Sequence, residues 1–272
     1  MWQPTLVKVV DSNGDLLPIV GGNLPVVSQP YLYAVAEGDI TGHTLMDKIG
    51  FNAAVGTSEV EVWSKGNTAY VYPAATGIQM AVVSSNNTND KAEGTGALTV
   101  TIGYLDANYA SQTTTVTLNG TTPVNTTPTN IRRVNSFRVA TTGSTGKAAG
   151  NISLTNVAGT VTYSYITAGF TRARSSMYTV PAGKTFYMTS MSASAAGLKY
   201  MRVILKASLN LGTVFTSGIQ FYPFYEVILL NNVSDKHFDA PLVFPATTDI
   251  KVSAIAEASG SLVVCDYRGW VE

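Results

Sequence analysis

Charge is what this chain most conspicuously lacks. Of its 272 residues, 12% are Asp, Glu, Lys or Arg, about half the share of an ordinary soluble protein. The 17 basic and 17 acidic residues cancel, so there is no global cationic field to displace counterions, and no nucleic-acid partner is expected. A single cysteine, Cys265, excludes an internal disulfide; in the strand-like run LVVCDY it reads as a small buried hydrophobe. Histidine is limited to His43 and His237, and no G-x-S-x-G elbow occurs, so the usual nucleophile–base arrangements have nothing to be built from. No apolar run reaches the ~20 residues of a membrane helix, so no membrane partner is expected. The opening MWQPTLVKVV does not show the cationic-then-apolar pattern of a secretory leader, so none is expected. Helix-period patterns are absent as well.

What is present is alternation. Ala97–Ile102 (ALTVTI) and Thr113–Leu118 (TTTVTL) alternate Leu, Val or Ile with Thr, the period-two pattern of a strand with one buried and one wet face. The wet face is Thr, which is β-branched and uncharged. Asn119-Gly120 follows as a strong turn signal. Similar runs recur at Glu59–Trp63, Ala69–Tyr72, Ile78–Ser84, Ile131–Val139, Asn151–Leu154 and Thr160–Ile166. In the C-terminal half they occur at Met177–Val180, Thr185–Ser190, Met201–Ala207, Thr213–Phe215, Phe224–Leu230, Leu242–Phe244, Ile250–Ile255 and Ser261–Tyr267. Thr44–Ile49 is the only stretch that reads as a helical turn. The spacing predicts an all-β protein with an extended Pro- and Gly-rich N-terminal arm (1–30), a first β-sandwich domain (31–166) and a second, jelly-roll-like β-sandwich domain (167–272). The polar tracts at Ser84–Gly94 and Thr141–Gly150 are expected to be exposed loops.

Four groups of residues invite a chemical reading. Asp235, His237 and Asp239 would share a strand face and are of metal-ligand type, but the run Asn231-Asn232-Val233-Ser234 before them points to a polar loop, so no metal is expected. Glu59 and Glu61 share a face and are paired carboxylates of the kind glycosidases use, yet an i, i+2 pair on one strand more commonly marks a solvated face. Trp63, Tyr70 and Tyr72 suit a sugar-stacking platform, with a core or interface role preferred. Gly143–Ala148 (GSTGKA) lacks the glycine spacing and the hydroxyl residue of a phosphate loop. No cofactor and no catalytic residue is expected. The basic residues Arg132, Arg133 and Arg138 fall on one strand and suit a salt-bridged edge or an interface better than a nucleic-acid groove. The arm carries Trp2, Leu6, Val7, Val9, Leu17 and Ile19, more apolar surface than a free tail shows to water, which marks it as a second candidate interface.

Taken in order, GTGALTV, GYLDANY, LNGTTPV and the arginine-bearing NIRRVNSFRV (Asn130–Val139) resemble a motif set found in virion structural proteins of tailed bacteriophages, marine phages among them. MDKIGFN (Met46–Asn52), Glu61-Val62-Trp63 with Tyr70-Val71-Tyr72-Pro73, YTVPAGK (Tyr178–Lys184) and PLVFPATTDI (Pro241–Ile250) extend the resemblance from Thr41 to the C-terminus. The resemblance implies a non-enzymatic protein on the capsid surface, assembled in the host cytoplasm. It would be a head decoration, cement or head-fibre protein with the major capsid protein or other virion proteins as partners, and a homo-oligomer, a trimer by preference. A carbohydrate- or receptor-binding module of a tail or fibre is the alternative, and a double-jelly-roll capsid protein the third reading.

Overall fold

A computed structural model describes residues 31–197, 199–208 and 219–272. The arm, with Trp2, Leu6, Val7, Val9, Leu17 and Ile19, and the strand expected at Thr213–Phe215 lie outside the described residues. The chain begins with a short helix, α1 (Tyr31–Glu37), and strands β1 (Thr44–Val55) and β2 (Val60–Glu61). Seven strands follow: β3 (Met80–Ser84), β4 (Ala97–Leu105), β5 (Ser111–Thr117), β6 (Val124–Asn125), β7 (Arg133–Thr142), β8 (Ile152–Asn156) and β9 (Thr162–Ile166). The last seven are β10 (Tyr178–Thr179), β11 (Phe186–Ala196), β12 (Met201–Ser208), β13 (Tyr222–Leu229), β14 (Val233–Phe244), β15 (Asp249–Ala256) and β16 (Ser261–Val271). The protein is all-β, as expected, and its strand pairings are antiparallel. No helix among the described residues is long and apolar enough to cross a membrane.

Two sheets, β1-β16-β11-β14 and β10-β15-β12-β13, face each other, with β2 added to β15. Setting β2 aside, the eight strands β1 and β10–β16 follow the order of a jelly roll, passing from one sheet to the other at each connection except the paired β12 and β13. Strands β3–β9 form a second sandwich, β6-β3-β8-β9 over β5-β4-β7, inserted between β2 and β10. The sequence predicts one sandwich over 31–166. The pairings Leu45↔Trp270 and Phe51↔Val264 in β1, and Glu61↔Ser253 in β2, join those residues to the C-terminal strands instead. Neighbours in sequence pair in sheets only about two-thirds of the time, and a strand's own pattern does not name its partner.

Each sandwich has its own core. In the jelly roll, Phe186, Met188, Phe244 and Tyr267 are fully buried, with Phe186 stacked on Phe244 at 6.1 Å. Cys265 is buried there as expected, and burial pushes its thiol up to about 12. In the inserted sandwich, Val100, Ile102, Leu118, Ile131, Ile152 and Leu154 meet, each such side chain contributing roughly 1.5–3 kcal/mol on burial. The Thr-alternating pair is a wall, as its pattern predicts. Thr99 lies opposite Thr117 and Thr101 opposite Thr115 on the wet face, while Val100, Ile102 and Val116 point inward.

Three local expectations change. Thr44–Ile49 is strand, not helix. The inward positions of β1 include Gly50 and Asn52, so no apolar alternation shows. Asp235, His237 and Asp239 lie on β14 rather than in a loop, and Ala69–Tyr72 is not a strand. The tracts expected to be exposed loops are drawn together by Asp90, which is fully buried. Its Oδ1 accepts from the backbone N–H of Ala97 (2.8 Å) and Ala149 (2.9 Å). Its Oδ2 accepts from the Gly150 N–H and the Ser84 hydroxyl, both at 2.7 Å. A carboxylate bound by several donors at these lengths is a strong local tie. Gly120, with φ at 59°, completes the crossing; a Cβ there would stand 2.7 Å from Asn87.

Candidate functional site

Several of the residues singled out from the sequence, Arg132, Arg133 and Tyr72 among them, come together where the two sandwiches meet. Arg133 opens β7 of the inserted sandwich and Asp249 opens β15 of the jelly roll. Both are buried, and they form a two-pronged ion pair, Nε–Oδ1 2.7 Å and NH2–Oδ2 2.9 Å. The Thr179 hydroxyl donates to the same carboxylate at 2.5 Å. Asn135 and Thr179 bond reciprocally across the joint, Nδ2 to O at 2.8 Å and N to Oδ1 at 2.9 Å. Burial opposes the Arg133 charge, but the hydrogen bonds and field of Asp249 prevail and raise its pKa. The Tyr72 ring lies 4.7 Å from the guanidinium, and burial, with Asp249 nearby, lifts the Tyr72 hydroxyl well above its ordinary value.

The Arg132 guanidinium lies 3.9 Å from the centre of the Tyr109 ring, which Arg133 also approaches at 5.8 Å, and donates to the Ala107 carbonyl at 2.8 Å. Tyr109 has φ at 61°, an uncommon backbone for a non-glycine residue. Asp106 holds the turn by accepting from Asn108 (2.9 Å) and Ala110 (3.0 Å). The Tyr109 carbonyl then accepts from the Ala182 N–H across the joint at 2.9 Å. On the β1 flank, Lys48 donates to the Asn135 carbonyl at 2.5 Å and Arg174 covers Phe51 at 3.8 Å. The motifs GYLDANY, NIRRVN, YTVPAGK and FPATTDI therefore meet in one place, and their chemistry fixes how the sandwiches join. Arg132 and Arg133 were offered as interface residues. Arg133 is buried against the chain's own jelly roll, so the contact it makes is internal.

The other candidate groups also have structural partners. Glu61 pairs with Lys251 at 2.7 Å and accepts from the Tyr70 N–H at 3.0 Å. Glu59 pairs with Lys206 and accepts from Ser253; burial works to raise its pKa, but these two donors hold it below the ordinary value. Trp63, Tyr70 and Tyr72 form an edge-to-face ladder at 5.3 and 4.9 Å that ends on Phe221; Trp63 is buried, which leaves no open platform for a sugar there. His237 and Asp235 approach to 3.6 Å on an exposed strand, and among the described residues no His, Cys, Asp and Glu cluster of metal-binding size occurs. Gly143 donates to the Gly96 carbonyl at 2.8 Å within the Asp90 tie.

What the sequence did not mark is the far side of the jelly roll. β13 ends one sheet and β14 ends the other, and among the described residues neither has a second neighbour. The middle of β14 is charged (Asp235, Lys236, His237, Asp239), which discourages strand addition. The turn that carries the chain from β13 in one sheet to β14 in the other is apolar. Ile228 is 59% exposed, Leu230 43% and Val233 68%, with Tyr200 beside them at 55%. No motif signals this cluster; only the strand register collects it.

No family model matches the chain, and no relative was found among curated proteins. The chain aligns with a structure of the Gt strain of infectious bursal disease virus over 89% of its length and 77% of that chain, at 11% identity and a TM-score of 0.17. It aligns with the VP2 subviral particle of infectious bursal disease virus over 85% of its length and 76% of that chain, at 13% identity and a TM-score of 0.12. Likenesses this distant leave the argument to the topology itself.

Proposed function

We propose that the chain is a structural protein of a tailed-phage virion, a capsid decoration, cement or head-fibre protein that acts by adhesion and not by catalysis. The observation that carries this reading is the apolar cluster at the β13–β14 turn, Tyr200, Ile228, Leu230 and Val233, at the opposite side of the jelly roll from the inserted sandwich. Apolar side chains gathered and exposed in this way favour association with a protein surface. The low charge agrees, because few charged groups need desolvation when large surfaces meet. The jelly roll itself is an architecture of capsid and lectin domains, and the motif order resembles virion proteins. In this reading the chain forms a homo-oligomer, a trimer by preference, and adds contacts that stabilise the assembled shell by mass action.

Quantitative mass spectrometry of purified virions tests it. Hundreds of copies per particle are expected of a decoration protein, and tens or fewer would assign the chain to a fibre or tail. Absence from virions, together with failure of the purified protein to bind capsids, would overturn the proposal.

A further inference from the structure

On the β1 flank of the joint a cleft of about 200 Å³ opens between the sandwiches, with Asp47, Lys48, Asn135, Arg138, Arg172 and Ser175 in its lining. Three of these are cations and one is an anion. Arg138 and Arg172 are partners in an antiparallel bridge, so they stand directly opposite one another with Cβ atoms about 4.5–5.5 Å apart, and like charges so placed repel. Among the described residues neither guanidinium has an ion-pair partner. Lys48 reaches in from β1, and its single hydrogen bond, to the Asn135 carbonyl at 2.5 Å, leaves donor capacity on an ammonium that has three N–H groups. Burial pushes its pKa down to about 8, with Asp47 pulling upward and Arg172 downward.

Several half-buried or buried cations elsewhere in the chain meet a carboxylate. Arg133 meets Asp249, Lys251 meets Glu61 and Lys206 meets Glu59. In the cleft, three positive groups, the buried Lys48 amine and the two exposed arginines, face a single carboxylate. We propose that this cleft binds a small oxyanion, a phosphate-like or carboxylate group, held between Lys48 and the Arg138–Arg172 pair. Guanidinium forks match the oxygens of either group, and Asn135 and Ser175 add neutral polar groups to the lining. Such an anion removes the repulsion between the arginines and supplies the missing partner of Lys48. The inference does not depend on the virion reading.

Calorimetric titration of the full chain with sulfate and, separately, acetate, at ionic strength held constant with sodium chloride, tests it. Saturable binding at pH 7 is expected for at least one of the two, weakened roughly tenfold or more in Arg138→Ser and in Arg172→Ser and strengthened in Asp47→Asn, which removes the only anion. Binding should also weaken between pH 7 and 9 as Lys48 gives up its proton. Saturation by sulfate alone assigns a tetrahedral oxyanion, and saturation by acetate alone assigns a carboxylate, such as a partner's acidic side chain. Heats no different from those of chloride, or equal affinity in the native protein and both arginine variants, would overturn the site. The Asp47→Asn gain keeps the test decisive if an arginine variant misfolds.

Discussion

Along its β1/β10 side the jelly roll carries the inserted sandwich; along its β13/β14 side it ends, among the described residues, in two unpaired edges. The two sides are built from different chemistry. The closed side uses a buried two-pronged ion pair, Arg133–Asp249, with Thr179 and Asn135 filling the remaining hydrogen-bond positions. The open side offers Ile228, Leu230 and Val233 to water. An internal joint forms once, on folding, and a fixed geometry can offset the desolvation of its charges. A surface meant to meet another molecule avoids that penalty by being apolar where it touches.

The largest effect is expected from breaking the closed side. Asp249→Ala leaves Arg133 buried and uncompensated, and should cost about 3–5 kcal/mol. Urea unfolding followed by two probes, one in each sandwich, should show the transitions separating as the joint is lost. A loss below about 1 kcal/mol would mean that the pair does not hold the joint. Next in size is Asp90→Ala, which strands four donors inside the inserted sandwich and should cost roughly 3 kcal/mol in the same measurement. It should leave the jelly roll's transition in place, which sharpens the distinction between a tie within one sandwich and a tie between two.

A third expectation concerns pH. The Lys48 pKa of about 8 lies below its ordinary 10.5. Between those values the unfolded chain binds a proton that the folded chain does not, so this residue makes stability rise with pH across that window. Above about pH 10 the buried tyrosines reverse the trend. Tyr72 and Tyr267 have raised pKa values because of burial, so the unfolded chain loses protons that the folded one keeps. Lys48→Met should flatten the rise from pH 8 to 10, as read by thermal melts in a buffer whose only small anion is chloride. The smallest stability effect belongs to the open side: Ile228→Lys with Val233→Lys should change folding stability by no more than about 0.5 kcal/mol per residue, because both side chains are more than half exposed.

Legibility in the sequence followed the range of the interactions. Period-two runs marked most strands, because burial of one face writes itself into adjacent residues; β4 and β5 are examples. The jelly roll was legible in the rhythm of YTVPAGK and PLVFPATTDI, but its first strand was not. β1 pairs with β16 more than 200 residues away, and its inward face at Gly50 and Asn52 is not apolar. A Cβ at Gly50 would meet the Val62 carbonyl at 2.7 Å and the Cys265 sulfur at 2.8 Å, so the position reports close packing that no hydropathy pattern contains. Asp90 and Asp249 look like turn residues in Asn- and Thr-rich runs, and only their buried partners reveal them as ties. Arg133 was noticed, but whether it faces a partner or its own chain depends on where Asp249 comes to rest. The apolar cluster at the β13–β14 turn was not legible, because Tyr200, Ile228, Leu230 and Val233 are brought together by register rather than by spacing.

The contrast between the two sides is tested most directly by the mass of the full-length protein in solution, measured by multi-angle light scattering over a concentration series beside the Ile228→Lys, Val233→Lys variant. The native chain is expected to form an oligomer, three subunits by preference, and the variant to remain monomeric with an unchanged circular dichroism spectrum, since lysines at an exposed edge oppose association. A variant that oligomerises as the native chain does would contradict the assignment of the open side as the surface of assembly.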